Sequence, residues 1–215
     1  MHEEQWQKIV VVHNTSKSYF LWCEENGIQL KSFLQPNNEL KNAWEHIVRA
    51  KAIELGIKKS DNPKYVEESL NDALAHEYRA FFDICDWLSM TLRKKVIDQL
   101  GNYAPETITT VIPDYYSRIR PTLDRACNEI ARIRGSKDIA QSDILNHVTA
   151  YDAILKELIK DVQSMEQCVP AMEEHKRKTK KSESSKSRKE LWIGIIIGVI
   201  GSAVLVFGEW LISKK

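Results

Sequence analysis

The stretch from Leu191 to Ser213 constrains this chain most, because no charged residue occurs between Leu191 and Gly208. At about 1.5 Å per residue the stretch would reach roughly 34 Å as a helix, enough to cross a hydrocarbon core of about 30 Å. Trp192 and Trp210 lie near its two ends, as amphipathic rings do at the two headgroup layers of a bilayer. The pattern predicts one transmembrane helix over residues 191–213, with these two tryptophans as interface anchors.

Basic residues are concentrated on the N-terminal side of this stretch, whereas only Lys214 and Lys215 follow it. Positive charge collects on the cytoplasmic side of a membrane helix, so we expect a single-pass membrane protein whose N-terminal domain is cytoplasmic. A basic run in this position is more often in contact with anionic lipid than with nucleic acid. The predicted lipid-facing residues are Lys176, Arg177, Lys178, Lys180, Lys181, Lys186, Arg188 and Lys189.

Small residues fall close to one stripe of the predicted membrane helix, and Gly194 with Gly198 forms a pair that lets two backbones approach closely. This face predicts self-association in the membrane, although glycine is common in membrane helices for other reasons too. Glu209 either lines a polar path, or pairs between protomers, or extends to the far interface beside Trp210. The predicted oligomer face consists of Gly194, Gly198, Gly201, Ser202, Gly208 and Glu209.

Apolar periodicity indicates what the remaining residues form. Apolar residues recur at steps of three and four between Leu70 and Val96 and again between Ile144 and Val162, and no stretch alternates at period two. We therefore predict an all-α fold, an antiparallel helical bundle over residues 1–169. Residues 170–190 are rich in Lys, Ser and Glu, which predicts a flexible basic linker before the membrane helix.

One local pattern suggests chemistry. Asn42 and His46 lie four residues apart, hence on one helix face, directly after the cation of Lys41. The pattern resembles the motif of HEPN domains, helical bundles in which Arg, a polar residue, three variable residues and His form a metal-independent ribonuclease site across a dimer interface. Residues 76–83 resemble the neighbouring helix of such domains. The resemblance implies His46 as general acid or base, and Lys41 stands where the family has Arg, so it lacks the planar fork that grips phosphate.

Three functions remain open. The first is a membrane-anchored effector or accessory protein of prokaryotic antiviral defence, which HEPN-like proteins with a membrane segment resemble. Its helical domain would oligomerise or sense a partner and act at the cell membrane, by pore formation or depolarisation. The alternative is a membrane-tethered HEPN-type ribonuclease whose catalytic residues are Lys41, Asn42 and His46. The third is a membrane adaptor.

Motifs for other chemistry are missing from the sequence. There is no glycine-rich phosphate loop, serine-hydrolase elbow or EF-hand loop, and the four cysteines and six histidines show no metal-ligand spacing. We therefore expect no cofactor, metal or small-molecule substrate. The expected partners are membrane lipid, further copies of this chain, and a defence-system protein or RNA. Whether the chain is an enzyme stays open, with a non-enzymatic role favoured.

Overall fold

The computed structural model describes residues 2–26, 33–135 and 143–213, and it describes side chains as far as residue 195. Across those ranges the chain forms helices and turns without a strand, which confirms the predicted all-α class. The helices are α1 (Glu3–Glu25), α2 (Leu34–Glu54), α3 (Tyr65–Leu100), α4 (Pro105–Val111), a π-helical turn (Tyr115–Ile119), α5 (Arg120–Gly135) and α6 (Ile144–Ser213).

The chain divides into two compact units. One comprises Met1–Asn102 and Asp114–Glu166, and the other comprises Tyr103–Pro113 and Gln167–Lys215. In the first unit, α3 packs against both α1 and α2. In the second, the Tyr103 hydroxyl donates to Glu173 over 2.7 Å.

Helix α3 supplies the centre of the first unit, as its periodicity predicts. Phe81 and Phe82 are fully buried and meet the ring of Tyr151 edge to face, with ring centroids 6.0 and 5.3 Å away. Aromatic pairs at such distances and angles stabilise a core beyond the area they bury. Every member of the two predicted apolar stripes is buried: Leu70, Leu74, Tyr78, Phe81, Cys85, Leu88, Leu92 and Val96 on α3, and Ile144, Val148, Tyr151, Leu155, Leu158 and Val162 on α6.

Helix α2 is less completely buried than its sequence suggests. Ala43 and Ala50 are fully buried, but Trp44 and Val48 in the same apolar stripe are exposed. Gly56 ends the helix at φ +70°, in the left-handed region that glycine adopts without steric cost, and its N–H donates to Ile53 over 3.0 Å. The helix therefore stops where predicted and leaves two large apolar side chains in solvent.

Helix α6 continues through Pro170 and through the segment that composition predicts to be a flexible linker. Pro170 removes one backbone hydrogen bond, yet Arg177 and Lys178 both pair with Glu174, at 2.5 and 3.5 Å. Such pairs at spacings of three and four support a helix in a segment of this composition.

The predicted transmembrane helix and the predicted single-pass membrane location need correction. Among the described residues, none of the helices has the length and apolar character that a membrane crossing demands. Helix α6 is charged between Glu173 and Glu190, and only the apolar residues Leu191–Ile195 follow before the described side chains end, against the about 20 that a span requires. The side chains of Gly198, Gly201, Ser202, Gly208, Glu209 and Trp210 lie outside the described residues.

Candidate functional site

The HEPN-like motif lies on α2 beside α3, and its members are placed unequally. Lys41 and Asn42 are exposed, whereas the side chain of His46 is only 21% exposed. The ring of His46 stacks on the ring of His76, with centroids 5.3 Å apart and planes inclined by 28°. Of the three predicted catalytic residues, only His46 therefore joins a second titratable group.

Glu39 links His76 to a cation. Its Oε2 lies 2.7 Å from Nδ1 of His76 and 2.8 Å from Nε of Arg79, and its Oε1 accepts from Gln35 over 3.2 Å. Nδ1 of His46 faces Asp72 at 3.6 Å, an ion-pair distance that is too long for a hydrogen bond. We call Glu39, His46, Asp72, His76 and Arg79 the α2–α3 cluster.

The contacts of His76 decide its tautomer. Nδ1 lies within 2.8 Å of both Glu39 Oε2, which only accepts, and Arg79 Nη2, which only donates. An Nδ1 lone pair would face a carboxylate oxygen, so Nδ1 carries a proton and donates to Glu39. The Arg79 contact is then a close approach rather than a hydrogen bond. This orientation leaves Nε2 of His76 as the nitrogen available for chemistry.

The environment moves two pKa values in the cluster. Burial lowers the pKa of His46, and the neighbouring His76 lowers it further, although Asp72 opposes both effects. Burial raises the pKa of Glu39, but the hydrogen bonds from Arg79 and His76 outweigh it and bring that pKa below its ordinary value. His46 is therefore a neutral base at pH 7, and Glu39 is an ionised anchor.

The cluster thus combines two imidazoles with a guanidinium. One neutral imidazole can accept a proton, a second can deliver one, and the guanidinium can stabilise negative charge on a bound phosphate. The part of the chain that the structure describes holds no group of His, Cys, Asp and Glu that could bind a metal ion. The chemistry that the cluster can perform is acid–base catalysis.

Sequence reasoning missed Glu39 and Asp72. Glu39 lies seven residues before His46, and Asp72 lies four residues before His76, so each pair occupies one helix face. The signal was two polar faces on consecutive helices, at 39 and 46 on α2 and at 72, 76 and 79 on α3. Their pairing depends on how α2 packs on α3, which neither face specifies alone.

The other predicted site residues lie elsewhere. Lys176 is half-buried over the Tyr103 ring, 5.1 Å from its centroid, and the rest of the basic run is exposed on α6. Trp192 is exposed, and a Cβ built on Gly194 would meet no atom within 4 Å. Comparisons with protein-family models, curated proteins and solved structures found no match.

Proposed function

We propose that this chain is a HEPN-like protein that cleaves RNA without a metal ion, with His46 and His76 as the catalytic pair. The observation that carries the proposal is the stacking of these two imidazoles at 5.3 Å, beside the guanidinium of Arg79. Both rings are only partly buried, so a bound nucleotide can reach them.

The proposed reaction is an internal transesterification. Neutral His46 accepts the proton of a ribose 2′-hydroxyl, whose oxygen attacks the adjacent phosphorus. Protonated His76 gives the proton on Nε2 to the departing 5′ oxygen, so that the products are a 2′,3′-cyclic phosphate and a 5′-hydroxyl. Arg79 stabilises the charge that develops on the phosphate oxygens.

Arg79 also answers the weakness of the motif. Lys41 lacks the planar fork of arginine, and it is exposed on α2 rather than part of the α2–α3 cluster. Arg79 brings such a fork to the cluster from α3, held through its Nε by Glu39 at 2.8 Å. Lys41 and Asn42 are then left to hold a neighbouring part of the RNA strand.

The test is cleavage of a labelled single-stranded RNA by the full-length protein in excess EDTA. His46→Ala and His76→Ala should each lower the rate about 10²- to 10⁴-fold, the usual contribution of a positioned acid or base. His13→Ala is the matched control, because His13 also contacts a glutamate but lies outside the cluster.

Three results would contradict the proposal: no cleavage by the wild type, unchanged cleavage by both variants, or cleavage of an all-2′-deoxy strand. Circular dichroism of each variant separates a lost reaction from a lost fold. A bell-shaped dependence of the rate on pH is expected, since one histidine must be neutral and the other protonated.

A second candidate is a non-enzymatic effector or accessory protein of prokaryotic antiviral defence, whose helical domain oligomerises or docks a partner. The observation that favours it is the exposure of Trp44 and Val48, which lie one turn apart on α2. Light scattering on the full-length protein should then give an oligomer that Val48→Asp disrupts and that Leu21→Asp, at a similarly exposed position on α1, leaves intact. A monomeric wild type would exclude self-association.

A further inference from the structure

A cavity of about 270 Å³ lies between α1, α2 and α3, apart from the α2–α3 cluster. Its walls are mainly apolar, and two indole rings contribute to them. None of the five cluster residues lines it. The residues that matter for its chemistry are Trp6, Leu40, Trp44 and Ile47, with His13 and Glu77 as the ionisable groups.

Glu77 is the unusual member of this lining. Its side chain is 3% exposed, and its Oε1 lies 3.0 Å from Nδ1 of His13. Its Oε2 is buried without a hydrogen-bond partner. A buried carboxylate oxygen without a donor is costly, so the position calls for a donor that the chain's own side chains do not provide.

The chemistry of the cavity selects a cation. A carboxylate only accepts hydrogen bonds, and an ionised one is stabilised most by a charged donor. Indole rings attract ammonium groups through their negative faces. We propose that this cavity binds a small organic cation, a primary ammonium joined to an aromatic or aliphatic body. The ammonium donates to Glu77, and the apolar body lies between Trp6 and Trp44.

Geometry permits this contact. The terminal torsion of a glutamate is soft, so the carboxylate of Glu77 can turn its unpartnered oxygen toward the cavity while His13 holds the other. The volume of about 270 Å³ lies just below the range of pockets for drug-sized ligands, which limits the occupant to a small molecule or a single side chain. An anion would meet Glu77 without a compensating cation, since His13 already contacts that carboxylate.

Calorimetric titration of the full-length protein tests the proposal with three probes of nearly equal shape. We expect 2-phenylethylammonium to bind at least tenfold more tightly than 2-phenylethanol or phenylacetate, because only the ammonium supplies a charged donor. Nα-acetyl-lysine amide distinguishes a free amine from a lysine side chain of a protein. Equal affinity for the ammonium and the alcohol, or binding of none of the probes, would overturn the proposal.

Two variants locate the site. Glu77→Gln keeps the side-chain shape but removes the charge, and it should weaken ammonium binding about tenfold or more. Trp44→Ala should weaken it about two- to fivefold, the effect of losing one cation–π contact at an exposed site. Trp192→Ala is its matched control, since Trp44 is 64% exposed and Trp192, outside the cavity, is 63% exposed. Unchanged affinity in both Glu77→Gln and Trp44→Ala, or an equal loss in Trp192→Ala, would place binding elsewhere and refute the assignment.

Discussion

His76 and Glu77 are consecutive residues of α3, yet they face different helices and different chemistry. His76 turns to α2, where Glu39 accepts from it and also from Arg79 and Gln35. Glu77 turns to α1, where His13 is the partner of one oxygen and the other oxygen has none. Both regions pair a histidine with a glutamate, and they differ in how fully the carboxylate is satisfied.

The difference suggests different uses. In the α2–α3 cluster the carboxylate is fully used, so it orients His76 and Arg79 for a substrate that approaches them. In the cavity the carboxylate keeps one oxygen in reserve, and that oxygen is itself the feature a ligand would recognise. Polar satisfaction, rather than residue type, distinguishes a positioning group from a recognition group.

The largest effect is expected from Glu39→Leu. The substitution removes the acceptor shared by His76, Arg79 and Gln35, and it leaves a buried imidazole donor without its partner. Because Arg79 is 41% exposed and can regain water, we expect a loss of about 1–3 kcal/mol in the free energy of unfolding rather than the larger cost of breaking a fully buried pair. Urea unfolding monitored by circular dichroism measures it.

Glu39→Gln is the control for this change, since the amide oxygen still accepts while the charge is gone. It should lose less stability than Glu39→Leu. If both variants are as stable as the wild type, the cluster contributes nothing to the fold and the comparison fails on that side.

A smaller effect is expected from Glu77→Leu. This side chain is almost wholly buried, but half of its hydrogen-bonding capacity is unused, and replacing such a group by an apolar one of similar size is nearly neutral. His13 is 47% exposed, so it turns to water when Glu77 is removed. We expect a change of less than about 1 kcal/mol in either direction, and possibly none of it a loss is required. A loss greater than that of Glu39→Leu would reverse the comparison.

The sequence predicts the buried part of this fold well. The stripes on α3 and α6 follow from spacings of three and four residues, and all their members are buried. Glycine punctuation also places the end of α2, where Gly56 adopts a positive φ. These features depend on local periodicity and on backbone sterics, which a single sequence carries.

The candidate sites follow less well from the sequence. His46 was singled out by its motif, but Glu39 and Arg79 reach it only because α2 packs on α3, and Lys41 and Asn42 remain in solvent. Glu77 has no motif at all, because a cavity is formed by the fit of three helices. The expected membrane helix rested on hydropathy in a stretch of which the structure describes the side chains only to residue 195.

The third prediction uses pH to separate His46 from His13. Burial lowers the pKa of His46 in the native state, so below about pH 6.5 the unfolded chain takes up this proton first and stability falls with falling pH. The hydrogen bond to Glu77 raises the pKa of His13, against an opposing effect of burial. Its contribution is therefore complete below about pH 6.5 and is lost as pH rises through the raised pKa.

Urea unfolding between about pH 5 and pH 8 tests this contrast. His46→Gln should flatten the loss of stability toward acid, and His13→Gln should flatten the loss above about pH 6.5. Equal changes of slope in the two variants would show that the two histidines sit in equivalent environments, contrary to their contacts.

The smallest effect is expected from Arg49→Ala, which removes the ion pair with Glu45 on the exposed side of α2. The two charged atoms are 3.3 Å apart, but both side chains are about half exposed, at 48% and 49%. Water and salt screen such a pair, and holding two long side chains together costs entropy, so the expected loss is below about 0.5 kcal/mol and disappears near 1 M salt. Glu39 and Glu45 then contrast two glutamates on one helix. If Arg49→Ala costs as much as Glu39→Leu, burial and multiple donors are not what make the α2–α3 cluster strong.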